Sequence, residues 1–229
     1  MSTASRKQRE IQQRQERILE VARQMLAQAG YIKLNMDRIA AEIQFAKGTV
    51  YKHFRNKEDI IVALDIDKHR KMEAVFRLGS SFRGSTRQRM VAIGVASNLM
   101  NHLYPDHLEI SRITGNPAIV EKANSARQQE LRAAEGACMR VIVEVVEQAR
   151  VEGDLTLPED YTPEELVFGL WAMSQGTYEL VSAGIPLVDN GVRDPINALW
   201  HNFAMLLDGY RWRPLSHEED WRKVRQDAW

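Results

Sequence analysis

The chain lacks most of the features that announce a particular chemistry. It has a single cysteine, Cys138, among 229 residues. That excludes an intrachain disulfide and any zinc site built from several cysteines. No apolar run approaches the ~20 residues needed to cross a bilayer. The start, "MSTASRKQREIQQRQE", is polar and carries no apolar signal-peptide core. A cytoplasmic protein is therefore expected. Strand-like alternation is nearly absent, as are repeats and low-complexity tracts. No nucleophile paired with a base, no carboxylate pair at a motif spacing and no phosphate loop is visible. His102 and His107 are five apart across a proline and do not form an i, i+4 metal pair. Neither a metal nor a cofactor is expected.

What is present is an amphipathic, charge-rich chain. It is 44% hydrophobic and 27% charged, enough to bury a core and stay soluble. The net charge is zero, but unevenly spread. Residues 1–60 hold 12 Lys and Arg against 7 Asp and Glu, which leaves 19 against 24 for the remainder. A basic front on an acidic body points to a local site for a polyanion, or to a solvated surface that happens to be basic.

Helical periodicity runs almost throughout, and the expected fold class is all-α. Ile18, Ala22, Met25, Leu26 and Ala29 recur at helical spacing, and Gly30 can end that helix in a left-handed conformation. Asn35 is placed to cap a second helix through Met36, Ile39, Ala40 and Ile43. "KGTVYKHF" follows as a third. Asn56 and Asp59 resemble a capping box for a helix running towards Leu78. "LGSSFRGST" reads as a loop, and a helix covers roughly 87–103. "YPDH" interrupts it, and a short helix follows. "GNP" opens one long helix with Asn116 as cap, carried to Gly153 by Leu131, Ala134, Cys138, Ile142, Val145 and Ala149. "TPEE" begins another that ends near Gly184 and Pro186. "RDP" begins the next, and "SHEE" a short last one.

Only three or four residues separate the second and third helices. Two helices joined that tightly cross steeply, as in a helix-turn-helix. On a helical wheel Ala46, Val50 and Phe54 can face Ile39 and Ile43. Lys47, Gly48, Tyr51 and Lys52 then share the opposite face, flanked by Thr49 and His53. Lysines neutralise phosphates, the tyrosine hydroxyl donates to them, and glycine permits close approach. The plainer reading is a basic surface helix in a bundle.

"MDRIAAEIQFAKGTVYKHFRNKEDII" resembles the DNA-binding signature of the TetR family of transcriptional regulators, most specifically through "IA", "KGTVYKHF" and "NKED". The resemblance covers residues 10–64 in detail and the rest by layout. It implies that Lys47, Thr49, Tyr51, Lys52 and His53 contact double-stranded DNA, and that Lys57 holds a phosphate. It also implies that Asn35 and Met36 set the second helix's start against the DNA backbone. A DNA-binding domain at 1–58 and an effector-binding and dimerisation domain at 59–229 follow. The arm "SRKQREIQQRQER" enters a groove, or adds unspecific affinity as a disordered or frayed helical extension.

The chain departs from the family at the turn. Ile43, Gln44, Phe45 and Ala46 stand where alanine, glycine, a hydrophobic residue and serine are usual. A left-handed Gln44 costs roughly 1–2 kcal/mol, and Ala46 forgoes a cap worth about 1 kcal/mol. Phe45 offsets part of this by burying more apolar surface. The turn is expected to survive.

In the "TPEE" helix Gly169, Gly176 and Ala183 recur every seven residues, bordered by Leu166, Leu170, Met173 and Leu180. The next helix supplies Ala198, Leu199, Met205 and Leu206. By position these correspond to the helix pair that forms the homodimer bundle in TetR-like regulators. The resemblance also implies a pocket for an unknown small-molecule effector within residues 87–152 and beyond. Its candidate lining is Asn98, His102, Tyr104, His107, Cys138 and Met139, with Trp171, Gln175 and Tyr178. The expected function is a ligand-responsive repressor that binds a palindromic operator as a dimer. An enzyme on a helical scaffold and a non-sensing architectural DNA binder are the alternatives.

Overall fold

The computed structural model describes residues 3–229, with side chains from Arg6 onward. Met1 and Ser2, and the side chain of Ser5 in the expected arm, lie outside the described residues. Among the described residues every regular element is a helix, so the all-α expectation holds. The helices are α1 Thr3–Lys33, α2 Met36–Glu42, α3 Lys47–His53, α4 Lys57–Ser80, α5 Thr86–Leu103, α6 Asp106–Thr114, α7 Pro117–Val120, α8 Ser125–Glu152, α9 Pro163–Ser182, α10 Pro195–Gly209 and α11 Trp221–Asp227.

Two compact units are formed. The first comprises the chain up to Arg70 together with Tyr104–Glu135. Its core is the apolar stripe of α1 (Ile18, Val21, Ala22, Leu26) packed with Ile39, Ala40, Val50, Phe54, Ile60, Leu64 and Ile110. Each of the Ile, Val, Leu and Phe side chains among them contributes about 1.5–3 kcal/mol on full burial. The second comprises Lys71–Leu103 and Gly136–Trp229. It is built on Ile93, Val141, Val145, Leu166, Val167 and Trp212. Within it the Arg87 guanidinium is 1% exposed. It donates to the Asp208 carboxylate at 2.6 Å, to the carbonyls of Trp212, Pro214 and Ala204, and to the Ser216 hydroxyl. A buried charge is tolerated only with such pairing.

The start signals act through their own side chains. Asn35 accepts the Asp37 N–H at 2.8 Å. Thr162 and Glu165 close a reciprocal capping box on α9. Asp194 caps α10 at the Asn197 N–H. Gly30, with φ 74, breaks helical geometry near the end of α1.

Three local expectations need correction. The helix opened by Asn116 and Pro117 is only the four-residue α7, and the long helix begins separately at Ser125. The cause is Asn124, whose side-chain oxygen caps the new start at the Arg127 N–H. Asn124 is itself tethered to Asp59 by its backbone N–H and its side-chain amide. The last helix starts at Trp221, not at Ser216. Ser216 is taken up by Asp208 and Arg87, and Asp220 supplies the cap. Ala46 is exposed and does not face Ile39 and Ile43, while Val50 and Phe54 are fully buried.

The turn between α2 and α3 is held by the backbone. Gln44 has φ 56, the left-handed region. Its N–H bonds the Ala41 carbonyl at 3.1 Å, and the Phe45 N–H bonds the Ala40 carbonyl at 2.9 Å. These are the two bonds of a Schellman motif, closed here by glutamine where glycine is usual. Phe45, the next residue, packs on the unit 1 core and supplies the hydrophobic contact that accompanies this motif. Ala46 caps nothing with its side chain. Replacing Gln44 with Gly and Ala46 with Ser should therefore stabilise the protein by about 1–2 kcal/mol, relieving left-handed strain and adding a cap. Denaturant unfolding measures it, and a loss of stability would show that Gln44 is not strained.

Candidate nucleic-acid interface

The Schellman turn sets α3 across α2 so that its apolar side, Val50 and Phe54, seals the core. The outward side then carries Lys47, Gly48, Tyr51 and Lys52, all exposed. A side chain added at Gly48 would meet no heavy atom within 4 Å, so the helix is open to close approach there. Thr49 and His53 are half-buried on its flanks. Burial, then the nearby Arg14 and Arg127 cations, push the His53 imidazole below its usual pKa. His53 is thus neutral at pH 7 and offers hydrogen bonds without charge.

The basic groups of this surface are individually held. Lys47 Nζ lies 2.6 Å from the Asp37 carboxylate of α2. The hydrogen bond and charge of Asp37 raise the Lys47 pKa. Lys57 Nζ sits 4.1 Å above the Tyr31 ring and donates to the Tyr31 carbonyl at 3.3 Å. Tyr31 is oriented in turn by donating its hydroxyl to Glu58 at 2.9 Å. Burial first and the Glu58 carboxylate second push the Tyr31 phenol up to about 12. Asn35 is exposed with its oxygen committed to the cap, and Met36 is buried.

Behind α3 lies a buried carboxylate. Asp59 is 1% exposed and accepts from the Arg55 N–H, the Asn124 N–H and the Asn124 side chain. Arg127 pairs with it at 2.9 Å. Burial alone would raise its pKa, but these donors outweigh burial and lower it. The expected capping box is met in one direction only: Asn56 caps the Asp59 N–H, while the Asp59 carboxylate turns to Arg55. Arg127 also donates to the His53 carbonyl and stacks on Phe54 at 4.4 Å, fixing the end of α3. Asp37, Tyr31 and Arg127, and the buried pairing of Asp59, escaped the sequence reading. Only the "NKED" acid was visible, as a cap.

The arm is helical from Thr3. Gln8, Ile11, Gln12, Gln15, Glu16 and Leu19 line one wall of an open cleft of about 600 Å³. Residues of α4 and the start of α8, among them Arg70 and Glu130, form the other walls.

The remaining candidates are not gathered at one point. Tyr104 and His107 belong to unit 1, where their rings stack at 4.8 Å and His107 is buried. In unit 2, Tyr178 donates to Asn98 at 3.0 Å. Cys138 and Met139 join the unit 2 core, and Gln175 donates to Glu179. His102 is exposed, and Trp171 is half-exposed beside Phe168 on the outer side of α9. Of the expected pairing residues, Gly176, Leu180, Ala183 and Met205 are exposed, and Gly169, Met173, Ala198 and Leu206 are partly so. Leu166, Leu170 and Leu199 turn inward to their own core. Among the described residues no helix is long and apolar enough to cross a membrane.

Known proteins share both the motif and the fold. Residues 18–64 match the family described as bacterial regulatory proteins, tetR family. The "Fatty acid metabolism regulator protein" of Bacillus subtilis (strain 168) is 22% identical over 177 residues, 72% of this chain and 87% of the relative. A bacterial regulatory protein in the tetR family from Rhodococcus RHA1 superposes with a TM-score of 0.62 at 17% identity, covering 86% of this chain and 96% of that one. FadR of Thermus thermophilus, a TetR-family repressor in complex with lauroyl-CoA, superposes with a TM-score of 0.61 at 19% identity, over 85% and 94% of the two chains. The open cationic face of α3 and these matches lead to one conclusion: residues 18–64 are the tetR-family DNA-binding segment of bacterial regulatory proteins, carried on a chain with the fold of TetR-family regulators.

Proposed function

We propose that this regulator reads a palindromic operator as a homodimer, with α3 as the reading helix of each copy, and releases it on binding an acyl thioester. The observation that carries the reading is the outward face of α3. Lys47, Gly48, Tyr51 and Lys52 are exposed together while Val50 and Phe54 lock the helix from behind. Lys47 and Lys52 would contact phosphates or base edges, with Tyr51, Thr49 and the neutral His53 as hydrogen-bonding neighbours. Lys57 would hold a phosphate, already oriented by Tyr31. Asn35 and Met36 would bring the start of α2 to the backbone. In this division residues 1–58 bind DNA, and residues 59–229 sense and pair. The role is binding, not catalysis, and it is exercised in the cytoplasm, where the DNA is.

Pairing is supported by α9 and α10. Phe168 is 60% exposed, Trp171 53% and Met205 62%, which is an unusual apolar cost for a lone chain. A side chain at Gly176 would meet no heavy atom within 4 Å, and one at Gly169 would meet only Leu206 at 4.0 Å. Packing within the chain does not demand small residues there; close approach of a second copy would. Two-fold pairing then places two reading helices on successive half-sites.

An acyl thioester is the effector class supported by the relatives, one named for fatty acid metabolism and one in complex with lauroyl-CoA. The helices of unit 2 would enclose it, and its preference between two head arrangements would set the coupling.

Three outcomes are expected. Tyr51→Ala and Lys52→Ala should each cut affinity at least tenfold for a duplex selected by the wild-type protein from a random pool. Fluorescence anisotropy measures this, and unchanged affinity would refute the reading face. Trp171→Asp should convert the dimer to monomer in sedimentation experiments, with helicity retained; a persistent dimer would place the interface elsewhere. Lauroyl-CoA, but not coenzyme A alone, should raise the melting temperature and weaken binding to the selected duplex. Indifference in both assays would remove acyl thioesters as the effector class.

A further inference from the structure

Lys47 and Asp37 form an ion pair across the helix-turn-helix, from the start of α3 to the start of α2. The two side chains are 67% and 49% exposed. Pairs this exposed add little to stability. The turn that joins the helices is held by the backbone bonds of Gln44 and Phe45, which do not involve either group. The pair therefore has no evident structural task. It does have an electrostatic one: it occupies a lysine on the face offered to DNA with a carboxylate of the same molecule. Lys52, about a turn and a half further along the same helix, is exposed, while Lys57 rests on the ring and carbonyl of Tyr31, which are not acids.

We infer that Asp37 is an internal competitor for Lys47 that suppresses binding to DNA of arbitrary sequence. A phosphate that meets Lys47 must displace a carboxylate already at 2.6 Å, so little affinity is gained from a backbone contact alone. The exchange is favourable only where neighbouring contacts of α3 hold the duplex in register, as at a specific site. Affinity for random DNA comes almost wholly from phosphate neutralisation, and specificity is the ratio of the two affinities. Restraining one lysine lowers the denominator of that ratio. Asp37 is in this sense a positioning and specificity residue, acting through Lys47. The inference rests on α3 being the reading helix.

The test uses the full-length protein and a 30-base-pair duplex of mixed sequence, titrated by fluorescence anisotropy across a KCl series. Asp37→Asn should tighten binding about five- to tenfold at low salt and steepen the salt slope by about 1, the contribution of one further neutralised phosphate. Glu42→Gln removes the same charge from the far end of α2 without touching Lys47, and should have a much smaller effect. Lys47→Gln should cancel the gain when combined with Asp37→Asn. Equal effects of Asp37→Asn and Glu42→Gln, or a gain that survives in the double variant, would overturn the inference. So would weaker binding by Asp37→Asn with its thermal unfolding unchanged, which would mean that the carboxylate itself serves recognition. Lys52→Gln separates this failure from that of the reading face. It should lower the salt slope by about 1 in every background. If it does so while Asp37→Asn is silent, only the competitor role fails; if it does not, the reading face fails and the inference with it.

Discussion

The carboxylate of Asp59 is the constraint on which the geometry of the helix-turn-helix depends. It is almost wholly buried, and its charge is sustained by the Arg55 N–H, by Asn124 and by Arg127. An uncompensated buried carboxylate would be costly, so all of these groups must be in place together. Their placement has consequences on both sides. Arg127 ties the carbonyl end of α3 and covers Phe54, which holds the exposed face of α3 in place. Asn124, held to the same carboxylate, breaks what would otherwise be one helix into α7 and α8. A single acid thus sets the end of one helix and the start of another.

The turn shows how a local penalty is absorbed. Glutamine in a left-handed conformation is unfavourable by itself, and Ala46 leaves the start of α3 uncapped. The two Schellman bonds satisfy the end of α2 in the usual way, and Phe45 adds apolar contact to the core. The fold tolerates an irregular sequence here because backbone hydrogen bonds do not depend on which side chain occupies the corner. Only the conformational cost changes, and it is small beside the buried surface of Val50, Phe54 and Ile39.

The charge pattern around the helix-turn-helix is more economical than its composition suggests. A net excess of basic residues in the first 60 positions could have meant a generally sticky surface. The structure distributes that excess unequally. Lys47 is paired, Lys57 is steered by an aromatic ring, and His53 is kept neutral by burial and by two arginines. Charge available to a nucleic acid is set by these assignments and not by the count of Lys and Arg.

Much of this was legible without coordinates. Helix starts at Asn35, Thr162 and Asp194 were readable because a cap acts within three residues of itself. The two faces of α3 were readable because a helix repeats every 3.6 residues and Val50 and Phe54 fall one turn apart. The corner at Gln44 was readable as a departure from a resembled pattern. What escaped has a common cause. The partition of Leu166 and Leu170 from Phe168 and Trp171 on α9 depends on which side the rest of unit 2 packs. The split at Asn124, the Arg127 clamp and the Asp37–Lys47 pair join residues far apart in the chain, and no local period links them. The sequence by itself determined where helices begin and which side of each is apolar, since those are short-range properties of side chains. Tertiary structure alone decided which charges meet, because a charge finds its partner through space and not along the chain.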